Sequence, residues 1–266
     1  QVAAECLGCE LDDIVVFGSD TDISPYDSGS YASSTAYLTG TAVVKTCEAL
    51  KEKILHKAAK YLETGAEELE FDGKRVYKPA CGEDGTKKEI SIKDLANRVQ
   101  CANEDALQVT QSHSSPISPP PFMAGAAEVE VDLETGQVEL IKFAAAVDCG
   151  TPLNENLARV QTEGGLVQGI GMALYEDVSY SKDGKVHENS FMQYKVPSRL
   201  DVGRVQVEFE SSFEPTGPFG AKSIGEVVIN TPSPAIANAV YNAVGVRIRE
   251  LPITAEKVFK GMNGLD

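Results

Sequence analysis

The chain has 266 residues, enough to bury a substantial core and to form one large domain or two smaller ones. Forty acidic against 24 basic side chains give a formal net charge of −16, which argues against nucleic acid or an anionic membrane as partner, since both need basic patches. No apolar run reaches the length of a membrane span, so no transmembrane helix is expected.

The first residues, Gln-Val-Ala-Ala-Glu, carry neither the basic nor the apolar part of a signal peptide. No initiator methionine precedes them, and the chain reads as a processed or truncated piece of something longer. Six cysteines (Cys6, Cys9, Cys47, Cys81, Cys101, Cys149) and three histidines (His56, His113, His187) are scattered. Cys6-Leu-Gly-Cys9 has metal-ligand spacing, but no second pair follows, and a zinc or iron–sulfur site needs about four ligands. Free thiols in an acidic chain suit a reducing cytoplasm.

Residues 1 to 8 read as the end of a helix closed by Gly8, and Asp13-Ile-Val-Val-Phe-Gly18 as a short buried strand. A long polar stretch follows to Ser34; without periodicity, a segment of that length in a compact domain is usually functional. Thr35 to Thr64 is predicted as a long helix, with Ala36, Ala42, Val43, Cys47, Leu50, Ile54 and Ala58 along one apolar stripe. Ser33, Ser34 and Thr35 stand at its start. There they are either ordinary caps or part of an anion site built on free amides and the helix dipole. Leu69 to Tyr77 predicts a hairpin around Asp72-Gly73, and a short helix begins near Ile90.

The stretch from Val109 to Met123, with three consecutive prolines, forbids helix and central strand alike and reads as a connector between two lobes, residues 1–123 and 124–266, a proline-rich peptide-recognition ligand being the alternative. From Ala124, alternating apolar and acidic residues predict a hairpin, and Ala144 to Asp148 continues as a buried strand. Leu157 to Met172 is a glycine-rich helix. Each glycine there costs about 1 kcal/mol relative to alanine, so a close contact, either to another helix or to a ligand, has to compensate. Tyr175 to Val196 predicts another hairpin around Lys182-Asp-Gly184, and Arg204 onward alternates as a strand.

Gly217 to Ala243 organises the rest. Gly217, Gly220 and Gly225 surround a lone carboxylate, Glu226, and Ser233 between two prolines marks a helix start, with Ile236, Val240 and Val244 on its buried face. A glutamate between a glycine-rich turn and a helix N-terminus is either a candidate general base or a solvated charge on a loop. Val246-Arg-Ile-Arg is expected as a strand, and Leu251 onward as a capped terminal helix.

Three motifs in order carry a resemblance: Ala32-Ser33-Ser34-Thr35, then Glu163-Gly-Gly-Leu-Val-Gln168-Gly, then Lys222-Ser-Ile-Gly225-Glu226. They resemble the molybdenum-binding subunit of the xanthine dehydrogenase, or molybdenum hydroxylase, family, and the likeness spans nearly the whole chain. It implies an α+β fold with two cofactor-binding lobes, mixed sheets and packed helices. It further implies a molybdenum–molybdopterin cofactor, most naturally its cytosine dinucleotide form. Ala32 would lie by the molybdenum; Ser33, Thr35, Gln168, Lys222 and Gly225 would face the cofactor; Glu226 would be the active-site base. No protein side chain would ligate the metal, which the pterin dithiolene holds.

The implied activity is hydroxylation of an N-heteroaromatic substrate, nicotinate being favoured, with oxygen from water. A purine dehydrogenase fragment and a non-catalytic structural subunit are the alternatives. The family's Gly-Gln-Gly-x-x-Thr loop does not precede Gln1. A branch that divides its molybdenum subunit between two polypeptides would account for this. The remaining partners would then be an iron–sulfur subunit with 2Fe-2S clusters and an FAD subunit.

Overall fold

The computed structural model describes residues 1–79 and 88–265, so Cys81 lies outside the described residues. The chain divides into two compact units, Gln1–Ser118 with Thr216–Pro218, and Pro119–Pro215 with Phe219–Asp266. The fold is α+β.

In the first unit α1 (Val2–Leu7) ends at Gly8, which takes the left-handed conformation and returns its N–H to Ala4. The following apolar residues do not form the expected strand. Val15 and Val16 are 91% and 86% exposed and Phe17 is exposed too. Strand chemistry needs a neighbouring strand, and none of the described residues pairs with this segment. The long helix is shorter at its start than its periodicity predicts: Thr35–Thr39 is a single wide π turn and α2 proper runs Gly40–Leu62.

The predicted hairpin forms, β1 (Glu70–Phe71) pairing with β2 (Arg75–Tyr77), and β3 (Glu89–Ser91) completes a small antiparallel sheet. Ser91 then caps α3 (Ile92–Cys101) by accepting the Asp94 N–H at 3.0 Å. Ile54 and Ala58 of α2 bury against Val76, Ile90, Leu95 and Val99. The Glu104 carboxylate gathers Lys57 at 2.8 Å, Tyr61 at 3.0 Å and Lys60, and these partners hold its pKa down to about 2.

In the second unit β4 (Phe122–Val131) pairs antiparallel with β5 (Val138–Asp148), and β5 pairs in parallel with β6 (Arg204–Phe209), giving a mixed sheet with β5 at its centre. The parallel connection runs through α4 (Glu155–Leu174). A bulge opposite Glu128/Val129 rephases β5, so that Leu140 and Phe143, three apart, are both buried while Ile141 is left exposed. One sheet face buries Phe143, Val147 and Val207 with Leu166 and Ile170 of α4 and with Ile236 and Val240 of α5 (Pro232–Val244). The helix start expected at Ser233 moves back: Thr231 is the N-cap and Pro232 occupies the first turn, where its missing N–H has no intrahelical partner to lose.

One expected hairpin and one expected strand are corrected here. Between Tyr175 and Val196 only a tight turn survives, with a single bridge Tyr180↔Val186 closed by Ser181 N–H to the Lys185 carbonyl. Val246–Arg249 is irregular: Arg247 stacks on the Tyr241 ring, 3.9 Å from its centroid, and donates to Asn238 at 2.6 Å, so its side chain serves α5. The terminal helix α6 (Ala255–Met262) forms as predicted, its cap Thr254 accepting the Lys257 N–H.

Candidate functional site

The residues singled out in the sequence fall in one stretch of each unit. In the first, Ala32 and Ser33 both adopt left-handed backbone, φ 51° and 55°. Such angles cost L-residues of order 1–3 kcal/mol each and persist only where the surroundings enforce them. The enforcement is visible on the C-terminal side. Ser34 is buried, and its carbonyl accepts the Leu38 N–H at 2.7 Å. Tyr37 is buried within the π turn, its hydroxyl 2.7 Å from Thr216 Oγ1 and 3.3 Å from Ser115 Oγ. Gly40, at the first turn of α2, lets Pro218 approach so closely that a Cβ would sit 2.9 Å from its ring. Ala32 and Thr35 remain exposed and Ser33 half-buried; Thr35 donates to Ser30 Oγ at 2.5 Å.

In the second unit the stretch that follows Phe219 is sewn to the end of β5. Gly150 and Ala221 form an antiparallel bridge, Thr151 N–H donates to the Gly220 carbonyl at 2.8 Å and Lys222 N–H to the Cys149 carbonyl at 2.7 Å. Gly150, at φ 71°, has no room for a side chain, because a Cβ would run into the Gly220 carbonyl oxygen. The side chains repeat the attachment. The Lys222 side chain is only 9% exposed, and its Nζ lies 2.7 Å from Asp148 Oδ2. Asp148 Oδ1 accepts from Ser212 Oγ at 2.6 Å and from the Gly150 N–H at 2.9 Å. Burial would raise the Asp148 carboxyl; the donated hydrogen bonds of Lys222, Ser212 and Gly150 outweigh it and hold the carboxyl below the usual aspartate range.

Downstream, Glu226 is exposed and begins a short 3₁₀ turn, Val227–Ile229, whose Val228 is fully buried. The glycines of α4 explain how. A Cβ on Gly165 would overlap Val228 Cγ2, and one on Gly169 would meet the Pro232 ring at 2.7 Å and the Ile229 carbonyl at 2.9 Å. Helix packing therefore accounts for Gly165 and Gly169, and the chain after Glu226 lies in the groove they leave. Gln168, on the same helix, is exposed. The structure thus brings Lys222, Gly225 and Glu226 into one anchored segment of the second unit, while Ala32, Ser33 and Thr35 form the strained turn of the first.

The sequence reading passed over Asp148, Tyr37 and Thr216. Only Asp148 had a signal, an acid closing the run Ala144–Val147 of a buried strand. Among the described residues no group of three or more His, Cys, Asp or Glu is placed to hold a metal ion. Cys6 instead meets Cys47 of α2, and burial pushes both thiols up.

A model of the molybdopterin cofactor-binding domain matches residues 1–203. The chain is 34% identical to a probable hypoxanthine oxidase of Escherichia coli (strain K12), over 98% of this chain and 27% of that protein. It is 32% identical to the gamma subunit of the 6-hydroxypseudooxynicotine dehydrogenase complex of Paenarthrobacter nicotinovorans, over 100% of this chain and 34% of that one. The solved structure of quinoline 2-oxidoreductase from Pseudomonas putida 86 superposes with a TM-score of 0.86 at 26% identity, over 100% of this chain and 34% of that chain. The chain thus spans roughly a quarter to a third of the length of the relatives it matches.

Proposed function

This chain belongs to the molybdopterin cofactor-binding family, and from that premise we propose that it carries the catalytic base of a molybdenum-dependent oxidoreductase. The reaction is hydroxylation of an N-heteroaromatic ring with oxygen from water. The single observation that carries this reading is the setting of Glu226: an exposed carboxylate on a segment whose flanks, Lys222 and Val228, are both buried. A merely solvated glutamate needs no such mounting.

The residues fit the cofactor. Ser33 and Thr35 offer hydroxyls, Gln168 a carboxamide, and Ala32 and Gly225 are small enough to admit a bulky ring system. Left-handed backbone at non-glycine residues collects at ligand clamps, which supports the Ala32–Ser33 turn as a cofactor contact. When bound, the group supplies the redox centre that takes up the electrons of the oxidation. Glu226 accepts the proton released as water-derived oxygen becomes nucleophilic. Gln168 holds the pterin by hydrogen bonding, and Lys222 and Gly225 shape the turn from which Glu226 projects.

On this reading residues 1–123 and 124–266 are two molybdopterin-binding lobes, and the cofactor is the cytosine dinucleotide. The partners are a second molybdopterin polypeptide, an iron–sulfur subunit and an FAD subunit. The bare, apolar Val15–Phe17 segment supports the first of these. A cytoplasmic location is favoured by the free thiols of Cys6, Cys9, Cys47, Cys101 and Cys149. Among the described residues no helix is long and apolar enough to cross a membrane.

Nicotinate is the substrate we favour within the class. Hypoxanthine is the second choice, favoured by the 34% identity to the probable hypoxanthine oxidase. Turnover of the assembled enzyme on the two compounds decides between them. The central test is Glu226→Gln, which keeps size and hydrogen bonding but cannot take the proton. With molybdenum and pterin content unchanged, kcat falls about 10²–10⁴-fold; near-normal kcat at full metal content would overturn the catalytic role.

A further inference from the structure

We propose that Asp148 is a positioning residue for Glu226, acting through Lys222. The inference rests on the catalytic reading of Glu226 for its consequence, but its structural part stands on contacts within the second unit.

The reference point is rigid. Asp148 is the last residue of β5, the central strand, held by β4 on one side and β6 on the other. Both of its carboxylate oxygens are occupied, Oδ1 by Ser212 and Gly150 and Oδ2 by Lys222, so rotation about the side chain breaks at least one hydrogen bond. Lys222 is equally committed. Its ammonium faces Asp148, reaches the Pro120 carbonyl at 3.4 Å and lies 5.3 Å from the centroid of the Phe122 ring. Little of that charge is left to grip a ligand, so Lys222 serves the site as the buried end of a clasp.

The clasp fixes one end of a short span. Lys222 is tied through its side chain and through its N–H to Cys149; Val228 is fixed by the groove of Gly165. Glu226 stands between these two points. Moving the first point shifts the carboxylate directly, because the intervening Ser223 and Ile224 are themselves buried or half-buried. Stability alone does not ask for an ion pair here, since a buried pair can be replaced by apolar side chains at no loss. Placement does ask for one: the pair has a single geometry, and a displacement of about 1 Å in a reacting group can cost 10²-fold in rate.

The experiment uses the assembled holoenzyme with Asp148→Asn and with the double change Asp148→Asn/Lys222→Met, which removes both charges and so avoids an unpaired buried lysine. Four quantities are read on each: deuterium uptake of peptides within 217–231 against peptides within 40–62, kcat, KM and molybdenum content. The expected result is faster exchange at 217–231 in both variants, confined to that segment in the double variant, with kcat lowered about 10–100-fold at unchanged KM and metal content. The double variant recovers its melting temperature but not its kcat. A double variant with wild-type kcat and wild-type exchange would show the pair to be structural only and overturn the proposal. Loss of molybdenum in the double variant would overturn it as well, by making the pair part of the cofactor's grip. The exchange readout separates this idea from the catalytic one: a Glu226→Gln enzyme with normal turnover sinks the base while leaving the clasp measurable, and unchanged exchange at 217–231 sinks the clasp whatever Glu226 does.

Discussion

Two stretches share one backbone device and differ in what enforces it. Ala32–Ser33 and Phe219–Gly220 are each a pair of consecutive left-handed residues, with φ of 51° and 55° in the first and 53° and 85° in the second. The first is held from one side by a neutral network, the Tyr37 phenol with Thr216 and Ser115. The second leads directly into a charged clasp, Asp148 with Lys222, and then into the groove of α4. A neutral anchor loses little when cut, because water or a small shift replaces each bond. A buried charged anchor loses a great deal, because the surviving partner is left without compensation. The difference teaches that the two turns have unequal tolerance for change, although their dihedral angles are nearly alike.

The largest expected effect breaks the charged side. Asp148→Asn leaves Lys222 buried without its counter-charge and destabilises the protein by about 3–5 kcal/mol, measured by chemical denaturation of the assembled enzyme. Its pH dependence follows from the depressed carboxyl. In the unfolded chain the group titrates near 3.9 and in the folded one lower, so its contribution is present above about pH 4 and is lost as pH falls through the folded value. The wild type therefore loses stability more steeply in acid than the double variant does, and Tyr37→Phe retains the wild-type slope.

Next comes the groove. Gly169→Ala must push against the Ile229 carbonyl and Pro232, and overpacking of this kind costs about 1–3 kcal/mol, in spite of alanine's better helix propensity. Smaller still is Tyr37→Phe, which removes the neutral anchor at about 1 kcal/mol; a loss as large as that of Asp148→Asn would abolish the contrast between the two stretches. The smallest effect has the opposite sign. Gly164→Ala, one residue from the groove and with nothing within 4 Å of the added methyl, raises the melting temperature by an amount equivalent to at most about 1 kcal/mol.

Much of this was legible in the residues. The apolar stripe of α2, the Asp72-Gly73 turn and the cap at Thr254 gave their elements because each rests on local chemistry. The segments that failed rest on absent or distant neighbours. Ile14–Phe17 has strand composition but no strand beside it among the described residues, and Val246–Arg249 has alternation but spends its arginine on α5. The bulge in β5 also lies beyond simple alternation: one extra residue rephases the strand and leaves Ile141 exposed. Lys222, Gly225 and Glu226 were readable as one motif since they are contiguous. Asp148, 74 positions before Lys222, was not, since nothing in the intervening sequence says that the end of a strand and a distant loop will meet.

The chain's path between its two units carries a further consequence. Thr216–Pro218 belong with the first unit, while the residues on either side of them belong with the second. A gene split after Ser118, the obvious boundary, would therefore yield two polypeptides, neither of them self-sufficient. The first would lack Thr216, the nearer of the two partners of the Tyr37 hydroxyl, and the second would carry three residues whose packing partners had gone with the other product. Gene fission or domain shuffling at that point is disfavoured by the covalent route of the backbone.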